Sequence, residues 1–209
     1  MHAFSIYFPF LLFLKIVMKG YWQNPEATAA AIWEYEGKRL FRTGDLGKLD
    51  QDNYLKVVGR AKEQYKLMNG KFIVPGVIQD VLILSPFIAQ AAVFGINQFH
   101  NVALLYPNWA NIEQWAAKKG VKYEGNVRSL ATSPLLHEEI NREIHELSAK
   151  LKSYEVPREW ELIPEPFTVE NGMLTPKLSL KRHNIEKRYK DVIDRLYVQL
   201  KKHDTKLSP

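Results

Sequence analysis

Hydrophobic residues in the C-terminal part of the chain recur at spacings that predict helices. Between 133 and 152 they follow one another three or four positions apart, after a Ser-Pro pair suited to begin a helix. A second stripe of this kind predicts one long helix over 179–201. Both stripes are interpreted as core-facing, because a helix buries the face on which its apolar residues recur. The stripe residues are Leu136, Ile140, Ile144, Leu147 and Leu151 in the first helix, and Ile185, Tyr189, Ile193, Leu196 and Leu200 in the second.

Shorter apolar runs bounded by turn residues predict strands. Runs at 39–42 and 54–59 flank an Asp-Gln-Asp-Asn turn, and two short runs at 64–67 and 71–74 flank Met-Asn-Gly. The alternation of helices with mostly short strands predicts an α+β unit that begins near Arg60. The other predicted elements are strands at 88–95, 101–106 and 159–163, and helices at 27–34, 75–84 and 108–119.

Composition describes an ordinary globular protein with a basic surface. The chain has 209 residues, of which 46% are hydrophobic and 25% charged, and its net charge is +6. A positive balance favours acidic partners such as nucleotides or an anionic membrane surface. The basic residues are spread along the chain and show no arginine–aromatic pattern of an RNA-binding sheet. We therefore expect no nucleic-acid partner.

The residues that usually bind metals offer no site. The chain has no cysteine, which excludes disulfides and thiolate ligands and is compatible with a reducing compartment. Of the six histidines, His137 and His145 stand eight apart on a predicted helix and are poorly aligned. We predict no metal ligands in this chain.

The segment FRTGDLG at 41–47 carries groups suited to a nucleotide. Glycine in Thr43-Gly44-Asp45 lets the backbone turn, so that the Asp45 carboxylate projects from it. An ionised carboxylate can accept hydrogen bonds from both hydroxyls of a ribose. Arg60, at the end of the next apolar run, could reach the same sugar or a phosphate. The alternative is a plain hairpin with a solvated aspartate and a surface arginine.

Five segments together resemble a known family. YWQNPEAT, FRTGDLG, LDQDNYLKVVGRAKEQYKL, NGKFIVP and ENGMLTPKLSLKR resemble, in this order, motifs of the acyl-adenylate-forming enzymes, and most closely those of the long-chain fatty acid–CoA ligases. The resemblance implies that 16–58 is the end of a large adenylation domain. It also implies that 60–209 is the family's small C-terminal lid domain, a short sheet flanked by helices. The apolar segment 1–15 is expected not to be family sequence, as if the chain began inside a larger gene.

The resemblance implies a two-step reaction. A fatty carboxylate reacts with ATP to give acyl-AMP and diphosphate, and coenzyme A then displaces AMP. Asp45 and Arg60 match ribose-binding positions, and Mg²⁺ would act on the phosphates through ligands outside this chain. Lys177 is the candidate catalytic residue, because an ammonium group between the carboxylate and the α-phosphate would stabilise the added negative charge.

Three further positions take roles from the resemblance. Lys62 stands at the family's hinge position, while Lys66 and Gly70 match positions that face coenzyme A in the thioester-forming step. The chain departs from the usual pattern at Gln79, where a glutamate is common. It departs again in the lysine segment, where relatives read LTP, a small hydroxyl residue, an apolar residue and then lysine. This chain has lysine directly at 177 and Ser179 two positions later. Lys181 therefore remains a rival to Lys177.

The sequence shows no glycine- and serine/threonine-rich phosphate loop and no aromatic-Gly-x-Thr-Glu motif. The leading hypothesis is therefore a fragment of a long-chain fatty acid–CoA ligase that is inactive by itself. The alternatives are a non-catalytic remnant or interaction domain, and a lid that completes a separately encoded N-terminal half. We expect a cytoplasmic protein, with peripheral membrane contact as an open option.

Overall fold

The computed structural model of the chain describes residues 8–13 and 17–207. They fall into two compact units, the first ending at Gln64 and the second beginning at Tyr65. The sequence predicts this division near Arg60, a few residues earlier. Among the described residues, no helix is both long and apolar enough to cross a membrane.

The first unit is a small antiparallel sheet with one helix. Its longest strand, β3 (Lys38–Leu49), pairs with β1 (Phe8–Phe13), β2 (Ile32–Tyr35) and β4 (Leu55–Arg60). Helix α1 (Pro25–Ala31) begins two residues before the predicted range, and the Asn24 side chain caps it by accepting a hydrogen bond of 2.9 Å from the backbone of Ala27. Of the segment 1–15, only 8–13 lies within the described residues, and the expectation that this segment is not family sequence stays a prediction.

The helix predicted over 27–34 is wrong beyond Ala31. Residues 32–35 form β2, with Tyr35 opposite Lys38 in the neighbouring strand. The two residues between them, Glu36 and Gly37, have φ of 48° and 70°. Positive φ at both positions is the requirement of a type I′ turn, the tight connection that suits twisted hairpins. The turn, together with the aromatic and β-branched residues of 32–35, favours the strand.

The second unit is built on a three-stranded sheet. Strand β8 (Val102–Pro107) is central, antiparallel to β7 (Ile88–Phe94) and parallel to β9 (Glu159–Leu162). A separate short hairpin, β5 (Tyr65–Lys66) with β6 (Phe72–Ile73), opens the unit. The predicted α+β class, with short sheets and flanking helices, is confirmed.

Helices cover both faces of this sheet. Ala103 and Leu105 of β8 belong to one core cluster, and Val102 and Leu104 belong to the other. All four residues are fully buried. A sheet covered on both faces requires a continuous apolar strand rather than an alternating one, and β8 has that sequence. The helices are α2 (Pro75–Leu82), α3 (Trp109–Lys119) and α4 (Pro134–Ser148) in the first cluster, and α5 (Arg182–Arg188) and α6 (Lys190–Leu207) in the second.

The single helix predicted over 179–201 is wrong, although its buried stripe is confirmed. The helical segment begins at Arg182 and breaks at Tyr189, whose φ of −110° and ψ of 25° leave the helical range. The stripe residues Ile185, Tyr189 and Ile193 are nevertheless all buried in one cluster. The break therefore lets α5 and α6 keep their apolar faces on the same sheet.

We predict that a chain beginning at residue 60 folds cooperatively. Both core clusters draw all their residues from the second unit, so the removed segment leaves neither face of the sheet exposed. A thermal melt followed by circular dichroism should show one cooperative transition. A gradual melt with strong binding of a hydrophobic dye would contradict the prediction.

Candidate active site

A bulge in β3 shapes the first candidate region. Arg42 of β3 pairs with Leu11 of β1, and Leu46 pairs with Pro9. The three residues of β3 between these pairs therefore lie opposite a single residue of β1. At the centre of the bulge, Gly44 has φ of 75°, a left-handed conformation that glycine adopts readily. The Thr43 hydroxyl accepts a hydrogen bond of 3.0 Å from the backbone N–H of Asp45. The sharp backbone turn predicted at Thr43-Gly44-Asp45 thus occurs as a bulge within a continuing strand.

A second irregularity, in the pairing of β3 with β4, places Asp45 opposite Arg60. The two residues are paired in the β3–β4 ladder, and Nη1 of Arg60 lies 2.9 Å from Oδ1 of Asp45. Nη1 also donates to the backbone carbonyl of Thr43 at 3.2 Å. The Asp45 side chain is 24% exposed and that of Arg60 61%. A carboxylate has about four acceptor positions and a guanidinium has five donors. Both side chains therefore keep hydrogen-bonding positions that a ligand could use.

An open cleft of about 660 Å³ lies beside this pair, within the first unit. Arg42, Arg60 and Lys62 line it together with the backbone of Gly44 and one acidic side chain, Glu63. Asp45 does not line the cleft itself; it holds Arg60, which does. With Asp45 counted, three cations face two carboxylates, and this positive balance favours an anionic ligand.

Arg42 and Tyr21 are among the lining residues that were not predicted as site residues. Arg42 stands inside FRTGDLG but reads as an ordinary strand residue, and its guanidinium lies 5.3 Å from the centre of the Trp33 ring. Tyr21 comes from the segment YWQNPEAT and lines the cleft next to α1. Neither residue has a distinctive local sequence pattern. Only their positions in the family-like segments could have indicated that they belong to the site.

Lys62 occupies a single 3-10 turn, Ala61–Glu63, just before the second unit begins at Tyr65. Its side chain is exposed. A short turn between two compact units is a suitable place for a change of backbone angles. The hinge role of Lys62 stays a prediction.

The second unit begins with a firmly held residue. The Tyr65 hydroxyl donates a hydrogen bond of 2.7 Å to Oδ1 of Asn101, which is fully buried. Burial raises the pKa of Tyr65 far above its usual range, against the opposing effect of the Arg182 charge, so the hydroxyl keeps its proton. This contact fixes the start of β5, the strand that carries Lys66.

Lys66 and Gly70 are brought together by the β5–β6 hairpin. Gly70 has φ of 84°, and its N–H donates to the carbonyl of Leu67 at 2.9 Å. A Cβ at position 70 would lie 3.8 Å from Cε of Lys66, an ordinary contact distance. Glycine is therefore required here for its backbone angle rather than for space. A role facing coenzyme A stays a prediction for both residues.

Lys177 lies at the tip of a tight hairpin. Thr175 accepts from the N–H of Leu178 and donates to the carbonyl of Ser179, both at 2.8 Å. Leu174 and Leu180 pair below this turn in an isolated antiparallel bridge. The hairpin presents the Lys177 side chain, which is exposed, to solvent. The segment that carries Lys177 is therefore a closed, hydrogen-bonded turn.

The rival Lys181 occupies a different position. It follows the hairpin at the N-cap of α5, with its side chain exposed and its N–H donating to Met173 at 2.8 Å. The two lysines thus belong to one small region but differ in placement, one at the hairpin tip and one at its base. Neither arrangement assigns the catalytic role, which stays a prediction for Lys177.

The described residues contain no group of three His, Asp or Glu side chains that could hold a metal ion. His137 instead stacks on Trp160, with ring centres 4.9 Å apart.

Comparison with known proteins identifies the family. Residues 62–201 match the AMP-binding enzyme C-terminal domain. A peroxisomal long chain acyl-CoA synthetase 7 of Arabidopsis thaliana is 31% identical over 88% of this chain and 26% of its own length. Long-chain-fatty-acid–CoA ligase 1 of Cavia porcellus is 33% identical over 88% of this chain and also 26% of its own length. The chain therefore spans about a quarter of these relatives.

Solved structures agree with this result. The adenylation domain of a carboxylic acid reductase from Segniliparus rugosus, in complex with AMP and a co-purified carboxylic acid, superposes with a TM-score of 0.69 at 25% identity. The match covers 95% of this chain and 29% of that one. The chain belongs to the AMP-binding enzyme C-terminal domain family, and the predicted resemblance to the C-terminal part of AMP-forming acyl-CoA ligases is confirmed.

The hairpin contains a strained residue that a substitution should relieve. Leu178 has φ of 60° and is 70% exposed, so it occupies a left-handed conformation without burying its side chain. We predict that Leu178→Gly raises the free energy of unfolding by about 0.5–1 kcal/mol, because glycine removes the Cβ clash. Urea denaturation measures the change. Leu84→Gly is the control: Leu84 is also exposed, but its φ is not positive, so we expect this variant to be no more stable than the original. A loss of stability in Leu178→Gly would contradict the prediction.

Proposed function

We propose that this chain is the C-terminal part of an ATP-dependent long-chain fatty acid–CoA ligase. It would supply part of the ribose site and the mobile lid, while an N-terminal region would bind the phosphates, the adenine and the acyl chain. The observation that carries the proposal is the Asp45–Arg60 pair at the edge of a cationic cleft. The long-chain ligases among the relatives, at 31–33% identity, support the acyl substrate class.

The pair suits a ribose for a geometric reason. Arg60 holds one oxygen of Asp45 and the Thr43 carbonyl, so the carboxylate is oriented before a ligand arrives. A pre-oriented carboxylate accepts two vicinal hydroxyls without a further loss of side-chain freedom. Ion pairs at this exposure contribute about 0–1 kcal/mol to folding, so stability gives little reason for this arrangement.

Lys177 would act in the first half-reaction. A carboxylate oxygen of the fatty acid forms a bond to the α-phosphorus of ATP, and the bond to the bridging oxygen breaks, which releases diphosphate. Two anionic groups approach each other in this step, and the Lys177 ammonium would offset their repulsion. In the second half-reaction the sulfur of coenzyme A attacks the acyl carbonyl and AMP leaves, with Lys66 and Gly70 facing the incoming thiol.

Mg²⁺ would act on the phosphates of ATP through ligands that lie outside this chain. A cytoplasmic location with peripheral membrane contact remains part of the proposal.

The first prediction of this proposal is that the 209-residue chain alone does not form acyl-CoA. A lid and a ribose site cannot replace the phosphate-binding loop, which the sequence does not contain. Purified chain supplied with ATP, Mg²⁺, palmitate and coenzyme A should release no AMP above the enzyme-free background. Sustained AMP release that depends on palmitate would show that this chain holds a complete site.

The second prediction concerns the lysines in an enzyme completed with the N-terminal region of a related long-chain ligase. Lys177→Ala should lower the adenylation rate by about 100-fold or more, because the repulsion between carboxylate and phosphate is no longer offset. The apparent affinity for ATP should change little, since other groups bind the nucleotide. The rate is measured as palmitate-dependent diphosphate release.

Lys181→Ala is the matched control, and we expect it to lower the rate only slightly. A severe loss in Lys181→Ala with a tolerated Lys177→Ala would assign the role to Lys181. If this chain binds the related N-terminal region but the completed enzyme shows no turnover, the result would favour the hypothesis that the chain is a non-catalytic domain.

A further inference from the structure

Arg182 connects the hairpin that carries Lys177 to two other elements of the second unit. It is the first residue of α5 and follows directly after the hairpin and Lys181. Its Nη1 donates to the backbone carbonyl of Val93 in β7 at 2.6 Å, and its Nη2 donates to Oε1 of Gln79 in α2. The side chain is half-buried. Arg182, at the base of the hairpin, thus contacts both strand β7 and helix α2, which covers the face of the sheet opposite to α5.

The hairpin's own hydrogen bonds do not provide this connection. The bonds of Thr175 close the turn upon itself, and the bridge between Leu174 and Leu180 joins its two arms. Lys181 bonds to Met173, again within the same segment. These contacts fix the shape of the hairpin. Leu174 packs in the same core cluster as Ala92 and Phe94 of β7, and Arg182 adds the hydrogen bonds that link the base of the hairpin to β7 and α2.

We propose that Arg182 is a positioning residue for Lys177, acting through the base of the hairpin. The inference rests on the proposed catalytic role of Lys177. A guanidinium suits this task because its planar fork presents several donors in fixed directions and can satisfy two acceptors at once. A lysine at this position would present one ammonium group and would be expected to lose one of the two contacts.

The strength of the contact between Arg182 and α2 can be changed by substituting Gln79. Its amide oxygen accepts from Arg182, and a carboxylate at the same position would accept from a charged donor more strongly. Gln79→Glu should therefore hold the hairpin more firmly. It should also rescue Arg182→Lys, because an ammonium–carboxylate pair can restore the contact to α2.

The test is hydrogen exchange of the intact chain, followed by nuclear magnetic resonance at the amides of Thr175, Leu178 and Ser179, which are hydrogen-bonded in the hairpin. Arg182→Ala and Arg182→Lys should each speed exchange at these amides by about tenfold or more. The double variant Arg182→Lys with Gln79→Glu should return exchange to near the original rate. Amides of β8 and α4 should be unchanged in all variants.

Arg188→Ala is the matched control, because Arg188 lies on the same helix and pairs with Glu165 at an exposed site. It removes the same charge and should leave hairpin exchange unaltered. Unchanged exchange in Arg182→Ala, exchange that rises equally throughout the unit, or failure of Gln79→Glu to rescue Arg182→Lys would each overturn the inference. Because no substrate is needed, these results are independent of whether Lys177 proves catalytic.

Discussion

The second unit depends on a sheet that must be covered on both faces. Four consecutive residues of β8, from Val102 to Leu105, are fully buried, and their side chains alternate between two separate cores. Each core needs its own helices, so the chain must place α2, α3 and α4 on one side and α5 and α6 on the other. The break at Tyr189 satisfies the same requirement, because both helices after the hairpin must face the sheet. The Lys177 hairpin is thereby placed at the edge of a completed core.

The first unit is organised around a different constraint, irregular pairing on both sides of β3. In the β3–β4 ladder, β4 has one extra residue between Val57 and Gly59, and this shift places Asp45 opposite Arg60 rather than opposite Gly59. On the β1 side, Gly44 accommodates the bulge of β3 through its positive φ. The cleft collects three cationic side chains beside the bulge. A local backbone irregularity, rather than a deep pocket, therefore creates the candidate ribose site.

Much of this arrangement was predictable, because strong apolar periodicity determines which segments are buried. The alternation of strands and helices in the second unit agrees with the sequence prediction, as does the buried part of the α4 stripe, Leu136, Ile140 and Ile144. The predicted helix over 133–152 is too long, because α4 ends at Ser148 and Leu151 lies beyond it. The helix over 27–34 failed because the Glu36–Gly37 turn and strand pairing outweigh local helix preference. The break at Tyr189 leaves the spacing of apolar residues unchanged, so periodicity could not reveal it. The contacts of Arg182 link residues distant in sequence, and no local pattern encodes them.

The central claim is that Asp45 recognises a ribose, and substrate discrimination tests it most directly. In the enzyme completed with a related N-terminal region, kcat/KM would be measured for ATP and for 2′-deoxy-ATP, with the original Asp45 and with Asp45→Asn. We predict that the original enzyme prefers ATP by about tenfold or more, because a hydrogen bond to a charged group is lost with the 2′-hydroxyl. Asp45→Asn should remove most of this preference. Equal preference in both enzymes would contradict the account and leave Asp45 a structural partner of Arg60.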